Sequence, residues 1–317
     1  MFTVNVSNPS PKNILVIKLG ALGDFIYACG AMKAIRNHHK HDHITLLTTA
    51  PFGKLGRDSG YFDDVIIDPR PKVFQIGKIL KWRNLLNKSH FSRVYDLQNN
   101  DRTALYFKLF SPKPEWVGAV KGASHRNTSP DRIKYHAALG HAATLKIGGI
   151  ENVSLDDLSW MHPTSEFLLP EKSVLIVAGS APSRPQKRWP ADHYRALCSL
   201  LIENGFCPVL LGTDAESEVN DLIARDLNVI NFTGKTKIYD LPALAKRAVG
   251  AIGNDTGPIH ILSVTNCKLL ALFDTRESNV TKHGPQGVRS HTIEASPLSD
   301  LLPETVFQKW MEIYNKP

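Results

Sequence analysis

The feature that most limits what this chain can fold into is a recurring alternation. Short apolar runs end in turns of small or polar residues and give way to stretches with helical spacing. The clearest case is "ILVIKLGALGDFIYACGAMKAI" (Ile14–Ile35), where the run Ile14–Leu19 breaks at Gly20 and Gly23 and re-forms as a helix-like pattern. Apolar runs of strand length without polar alternation suit strands buried on both faces, as in a parallel sheet covered by helices. In the first half "HITLLTT", "DDVIIDP" and "RVYDLQ" follow the same plan. In the second half "SVLIVAG", "CPVLLG", "VINFTG", "AVGAIGND" and "KLLALF" do so again. The expected class is therefore α/β, with two Rossmann-like doubly wound domains. With 317 residues and 42% hydrophobic content the chain can bury two cores. The polar, proline-bearing stretch "DDLSWMHPTSEFLLPEK" (Asp156–Lys172) is the natural boundary. This gives domains 1–162 and 163–317, with the last helix, about 303–315, free to pack back on the first domain.

Charge is distributed unevenly. The net charge is +8 over the chain, and residues 1–160 hold 22 Lys and Arg against 13 Asp and Glu. All of the excess therefore lies in the first half, which points to an acidic partner handled there. Four cysteines (Cys29, Cys198, Cys207, Cys267) lack zinc-like or C-x-x-C spacing, so neither a disulfide framework nor a metal knuckle is expected. No run reaches the roughly 18 apolar residues of a membrane span, and "MFTVNVSNPSPK" lacks the layout of a secretion signal. A soluble cytoplasmic protein is expected.

Three turns carry candidate chemistry. In "GNDTGPIHILSV" (Gly253–Val264) a strand leads through a tight turn into a helix, with Pro258 early, where its missing N–H costs nothing. The turn's N–H groups, the Thr256 hydroxyl and His260 can cradle a diphosphate, although an ordinary turn capped by Asp255 would read the same way. In "GSAPSRPQKRWPADHYRAL" (Gly179–Leu197) a basic loop follows a strand and is anchored by Trp189, so Lys187 can reach the same sheet edge. In "LLGTDAESE" the acids Asp214, Glu216 and Glu218 open a helix, where acids also serve the helix dipole, and one of them can accept hydrogen bonds from a ribose. The first turn is the odd one. Asp24 sits where a phosphate-binding loop offers bare N–H groups, and a carboxylate there would repel phosphate.

Taken in order, G-x-L-G-D, K-x-W-P and D-T-G-P-x-H resemble the ADP-heptose:lipopolysaccharide heptosyltransferases, inverting sugar transferases of the two-domain GT-B fold, over about Ile14–Pro285. The resemblance implies two domains facing a crevice. It places a catalytic base at Asp24 and a phosphate-contacting lysine at Lys187. Donor-nucleotide contacts fall on Ser183, Lys187, Thr213, Glu216, Asp255, Thr256, Gly257 and His260. The chain departs from the family pattern at "LFDTRES" (Leu272–Ser278). On this reading phosphate belongs to the second domain, so Asp24 is free to take the acceptor hydroxyl's proton during displacement of ADP. Lys187, His260 and the helix N-terminus then stabilise the leaving diphosphate. No metal and no cofactor are expected, with an ADP-sugar as co-substrate, since no D-x-D pair ends a strand.

The strongest source of positive charge is "RPKVFQIGKILKWRNLLNKSHFSR" (Arg70–Arg93). Seven Lys or Arg and no acid lie between Asp68 and Asp96. Phe74, Ile76, Ile79, Leu80, Trp82 and Leu86 fall mostly opposite Lys78, Lys81 and Lys88, giving a basic amphipathic helix. Lys78, Lys81 and Arg83 are the expected contacts to the acidic lipid A–core acceptor and to the cytoplasmic surface of the inner membrane, with no nucleic acid implied. A helix packed on the sheet with solvated charges is the alternative. Two other functions compete. An NAD-dependent oxidoreductase is disfavoured because Phe25 stands where a third glycine is expected and no acid ends "HITLLTT". A non-catalytic binder of anionic glycolipid leaves the Lys187 and Thr256 turns unexplained.

Overall fold

The computed structural model describes residues 10–316 other than Val73 and Pro182. The reading of the extreme amino terminus lies mostly outside the described residues, as does Val73 of the basic stretch. The chain divides into two compact units. The first takes Met1–Ala21, Gly30–Arg132 and Ala138–Ser154, and the second takes Leu22–Cys29, Ile133–Ala137 and Leu155–Pro317. This division differs from a single cut at 162, because the opening turns of the first helix and the short segment before Ala138 belong with the second unit.

The first unit's strands are β1 (Asn13–Ile17), β2 (His43–Thr48), β3 (Asp64–Ile67), β4 (Arg93–Asp96), β5 (Glu115–Gly118) and β6 (His125–Arg126). Its helices are α1 (Leu22–His38, shared with the second unit), α2 (Ala50–Asp58), α3 (Ile76–Lys88), α4 (Asp101–Leu109), α5 (Asp131–Lys134) and α6 (Ala137–Ile147). All strands pair in parallel, in the order β3-β2-β1-β4-β5-β6. Ile14–Ile17 are fully buried because β1 lies mid-sheet, with Ile14 opposite both Ile44 and Arg93. Leu15, Ile17, Leu47, Trp82, Val94, Tyr106 and Trp116 form one core. Neither β5 nor β6 was expected from the sequence, since "EWVG" and "HR" are too short to show a period.

The second unit repeats the plan with β7 (Ser173–Val177), β8 (Cys207–Leu211), β9 (Ile230–Asn231), β10 (Gly250–Asn254), β11 (Leu269–Asp274) and β12 (Ser290–Ala295). Its own helices are α7 (Ala191–Glu203), α8 (Ser217–Ala224), α9 (Leu241–Arg247), α10 (Gly257–Val264), α11 (Val280–His283) and α12 (Pro303–Tyr314). The parallel order is β12-β11-β10-β7-β8-β9. Both sheets thus reverse direction beside their first strand, the arrangement that opens a ligand site at the strand carboxyl ends. The last helix packs within the second unit. Val306, Trp310 and Ile313 bury its apolar face in the second core, against α7 and beside Phe206. Truncating a buried tryptophan such as Trp310 costs about 3–5 kcal/mol, so this helix is an integral part of the second unit.

Candidate functional site

The second unit's site forms where β7 and β10 lie side by side, so that the loops following them open at the same edge. Asn254, the last residue of β10, holds the two loops together. Its carboxamide oxygen accepts from the Trp189 backbone N–H (3.1 Å) and the Tyr194 hydroxyl (2.8 Å), and its NH2 donates to the Ala178 carbonyl (2.7 Å). Trp189 is buried and donates its indole N–H to the Leu301 carbonyl (2.9 Å). The short turn Pro185–Lys187 just before it is thereby placed so that the Lys187 ammonium pairs with the Asp255 carboxylate. His260 Nε2 lies 3.4 Å from the other Asp255 oxygen. Burial opposes ionisation of Asp255, but hydrogen bonds from His260 and Lys187 and the lysine charge outweigh it, holding the carboxyl well below its ordinary range.

Asp255 is therefore not the cap of α10. Thr256 takes the cap position with extended backbone and no side-chain cap hydrogen bond, and Gly257 and Pro258 open the helix. Asp255 instead fixes the two cationic or donor side chains beside that helix N-terminus. Next to it lies a cavity of about 280 Å³. Its walls include Leu211, Ile238 and Leu241 on the apolar side, and Thr213, Glu216 and Thr256 on the polar side. Glu216 accepts from the Thr213 N–H (2.8 Å) and hydroxyl (2.6 Å), which fixes its carboxylate at the rim. Lys187, Asp255, Thr256, Gly257 and His260 come together in this unit, with Thr213 and Glu216 across the cavity from them. Ser183 is exposed and does not line the cavity.

The opening turns of α1 pack on the start of α10 within the same unit. Two glycines make this possible. A Cβ on Gly23 would collide with the His260 ring, and one on Gly257 would come within 2.8 Å of Leu22. Gly23 of G-x-L-G-D and Gly257 of D-T-G-P-x-H thus serve a common contact. Asp24 is half-buried in the first turn of α1, where its charge favours protonation of His136 and His283. Burial outweighs that influence. His136 is pushed down to about 4 by burial and then by the neighbouring His260, and His283 is also lowered, chiefly by burial. One turn on, Tyr27 sits edge-on to both His136 (4.4 Å between centroids) and His260 (5.2 Å). Sequence reasoning missed Tyr27, His136 and His283. Only Tyr27 left a signal, three residues after Asp24 on the same helical face.

In the first unit a cleft of about 670 Å³ opens at the carboxyl ends of the central strands, with Thr49, Phe52, Arg70, Asn100 and Arg102 among its walls. Asp68 organises it by accepting from the Arg70 N–H (2.7 Å) and the Tyr106 hydroxyl (2.6 Å). Asn100 caps α4 by accepting from the Thr103 N–H (3.2 Å), which sets the place of Arg102 in the first turn. Arg102 was not singled out from the sequence, and Arg70 only as part of the basic stretch. On α3 the expected apolar face divides. Trp82 and Leu86 are buried, whereas Phe74 is 72% exposed, Ile76 68% and Leu80 51%. They are exposed together with Lys78, Lys81 and Arg83 because only Trp82 and Leu86 reach the core.

Comparison with known proteins gives a consistent picture. The family model described as glycosyltransferase family 9 (heptosyltransferase) matches residues 79–301. Lipooligosaccharide heptosyltransferase 2 of Haemophilus influenzae is 30% identical over 112 residues, which cover 33% of this chain and 32% of that protein. Lipopolysaccharide heptosyltransferase 2 of Salmonella typhimurium is 29% identical over 295 residues, 84% of each chain. The solved structure described as E. coli ADP-heptose lps heptosyltransferase II superposes with a TM-score of 0.72 at 20% identity, covering 95% of this chain and 98% of that one.

Proposed function

This chain belongs to glycosyltransferase family 9, the heptosyltransferases, and from that premise we propose that it transfers a heptose from an ADP-sugar to the inner core of lipopolysaccharide with inversion at the anomeric carbon. The observation that carries the reading is the gathering of Lys187, Asp255 and His260 at the N-terminus of α10, beside a cavity of nucleoside size, with Asp24 in the same unit. The oxidoreductase alternative is not favoured by the family match. A non-catalytic binder would have no use for Asp24 beside a donor pocket.

The second unit is the donor site in this proposal. Adenine packs on Leu211, Ile238 and Leu241, and the ribose hydroxyls donate to Glu216. The diphosphate meets the N–H groups around Thr256 and Gly257, with Lys187 and His260 supplying charge and a further donor. As the acceptor hydroxyl attacks the anomeric carbon, the new C–O bond forms opposite the breaking bond to the diphosphate oxygen. The displaced electron pair goes to ADP, and the hydroxyl proton goes to the Asp24 carboxylate. Asp255 keeps Lys187 aimed at the place where negative charge grows, so little reorganisation is needed at the moment of reaction.

The first unit receives the acceptor. Arg70 and Arg102 offer planar, bidentate donors to its anionic groups, while the basic and apolar exposed side of α3 rests on the anionic surface carrying it. Among the described residues no helix is long and apolar enough to cross a membrane, and the protein is proposed to work at the cytoplasmic face of the inner membrane by peripheral attachment. The test is to incubate the purified protein with ADP-heptose and a heptose-deficient lipopolysaccharide core. Release of ADP together with an acceptor heavier by one heptose is expected. Intact donor and unchanged acceptor would refute the assignment.

A further inference from the structure

We propose that Tyr27 is a positioning residue which sets the tautomer of His260, donating its phenolic proton to Nδ1 so that Nε2–H is directed at Asp255 and the diphosphate site. Five polar contacts converge on this arrangement. The Gln286 backbone N–H donates to the Tyr27 oxygen at 3.2 Å, so the phenol answers with its own O–H as donor. Two acceptors are in reach of that proton, His260 Nδ1 and Ser263 Oγ, each at 3.1 Å. Ser263 spends its own proton on the His260 carbonyl at 2.8 Å, which leaves its lone pairs toward Tyr27. On the far side of the imidazole, His260 Nε2 is 3.4 Å from Asp255 Oδ1.

The direction of the chain follows from proton bookkeeping. Asp255 is ionised, held so by Lys187 and His260 against its burial, and an ionised carboxylate only accepts. Nε2 must therefore carry hydrogen, and a neutral imidazole then presents Nδ1 as an acceptor. Tyr27 is the donor placed to satisfy it. The phenol is suited to remain a donor, since burial pushes its pKa up to about 12. Among the described residues, the charged or titratable groups around the ring include Tyr27, His136, Lys187, Asp255 and His283, all in the second unit. The ring itself is seated against Gly23, where no side chain could be tolerated without displacing it. His260 thus reaches the diphosphate site with its orientation and tautomer already chosen, which is the preorganisation that transition-state stabilisation requires.

The inference rests on the donor-site reading above, and the experiment separates the two. In protein labelled with 15N-histidine, the long-range ring correlations of His260, assigned by their loss in His260→Gln, should show the Nε2–H tautomer in the unligated parent protein at neutral pH. A parent spectrum showing Nδ1–H would overturn the proposal without any appeal to catalysis or to a variant that folds. Tyr27→Phe keeps the buried ring and deletes only the donor. It should populate the Nδ1–H form and lower kcat about tenfold, the scale of one lost hydrogen bond at a positioned group, with KM for the ADP-sugar moved less. An unchanged tautomer and an unchanged kcat in Tyr27→Phe would also overturn it. If the parent transfers no sugar but shows the Nε2–H signature lost in Tyr27→Phe, the function fails while the positioning role stands.

Discussion

Replacing Asp255 with Asn tests the electrostatic centre of the donor site, because the change keeps shape and removes one charge. The parent buries an ion pair whose side chains are 15% exposed for Lys187 and 6% for Asp255. Removing one member of a buried pair costs about 3–5 kcal/mol, since the other charge is left uncompensated. Lys187 retains some access to water, which places the expected loss near the lower end, about 3 kcal/mol. For a unit of this size that corresponds to a fall in Tm of roughly 6–12 °C. The pH dependence gives an independent check. The folded Asp255 titrates below its ordinary value of 3.8. Its contribution is therefore complete above about pH 4 and is lost as pH falls further toward the folded value. His136, lowered from 6.5 to about 4, acts in a different window: the unfolded chain takes up its proton first, so stability declines as pH falls from about 6.5 to about 4. Calorimetry of the Asn variant should show the second decline intact and the first one flattened. Adding ADP should raise Tm by at least as much as in the parent, because the diphosphate can replace the lost counter-charge of Lys187. A variant as stable as the parent with an unchanged acid limb would refute the claim that this carboxylate carries the pair.

Asp24→Asn should lower kcat by about 10²–10⁴, the range for loss of a general base, with ADP affinity measured by calorimetric titration unchanged; equal loss of both would put Asp24 at the phosphate. Lys187→Ala and His260→Ala should each weaken ADP binding or slow turnover, and the double variant should fall short of the sum of the two because in the proposed site both side chains act on one diphosphate. Converting Lys78, Lys81 and Arg83 together to Gln should raise the acceptor KM and reduce binding to anionic vesicles, each charge contributing on the order of 1 kcal/mol at such a surface. ADP binding should be unaffected, and added salt should imitate the substitution.

The central strands were legible because burial on both faces leaves a continuous apolar run, as in β1, β7 and β11. β12 was not, since "SHTIEA" lies at an edge, stays half-buried along most of its length and needs no apolar run. The Lys187 and Asp255–His260 turns could be found because their chemistry is compressed into a few consecutive residues. What those residues do to one another could not. Asp255 reads locally as a helix cap, and only the loop after β7, brought alongside β10, turns it into the partner of Lys187. His136 and His283 come under the influence of Asp24, and His136 reaches Tyr27, from segments more than a hundred residues apart in the chain. The apolar positions of α3 misled because helical spacing shows which residues share a face, while the number that reach the sheet depends on how the helix lies, and only Trp82 and Leu86 are fully buried.

The central claim is a single displacement at the anomeric carbon, with Asp24 as base on the side opposite the departing ADP. The direct measurement is the anomeric configuration of the transferred heptose, read by NMR from one-bond carbon–hydrogen couplings in the product, beside that of the ADP-sugar supplied. The account predicts one product of opposite configuration. Retention of configuration would require two successive displacements through an enzyme-bound sugar and would contradict the role given to Asp24.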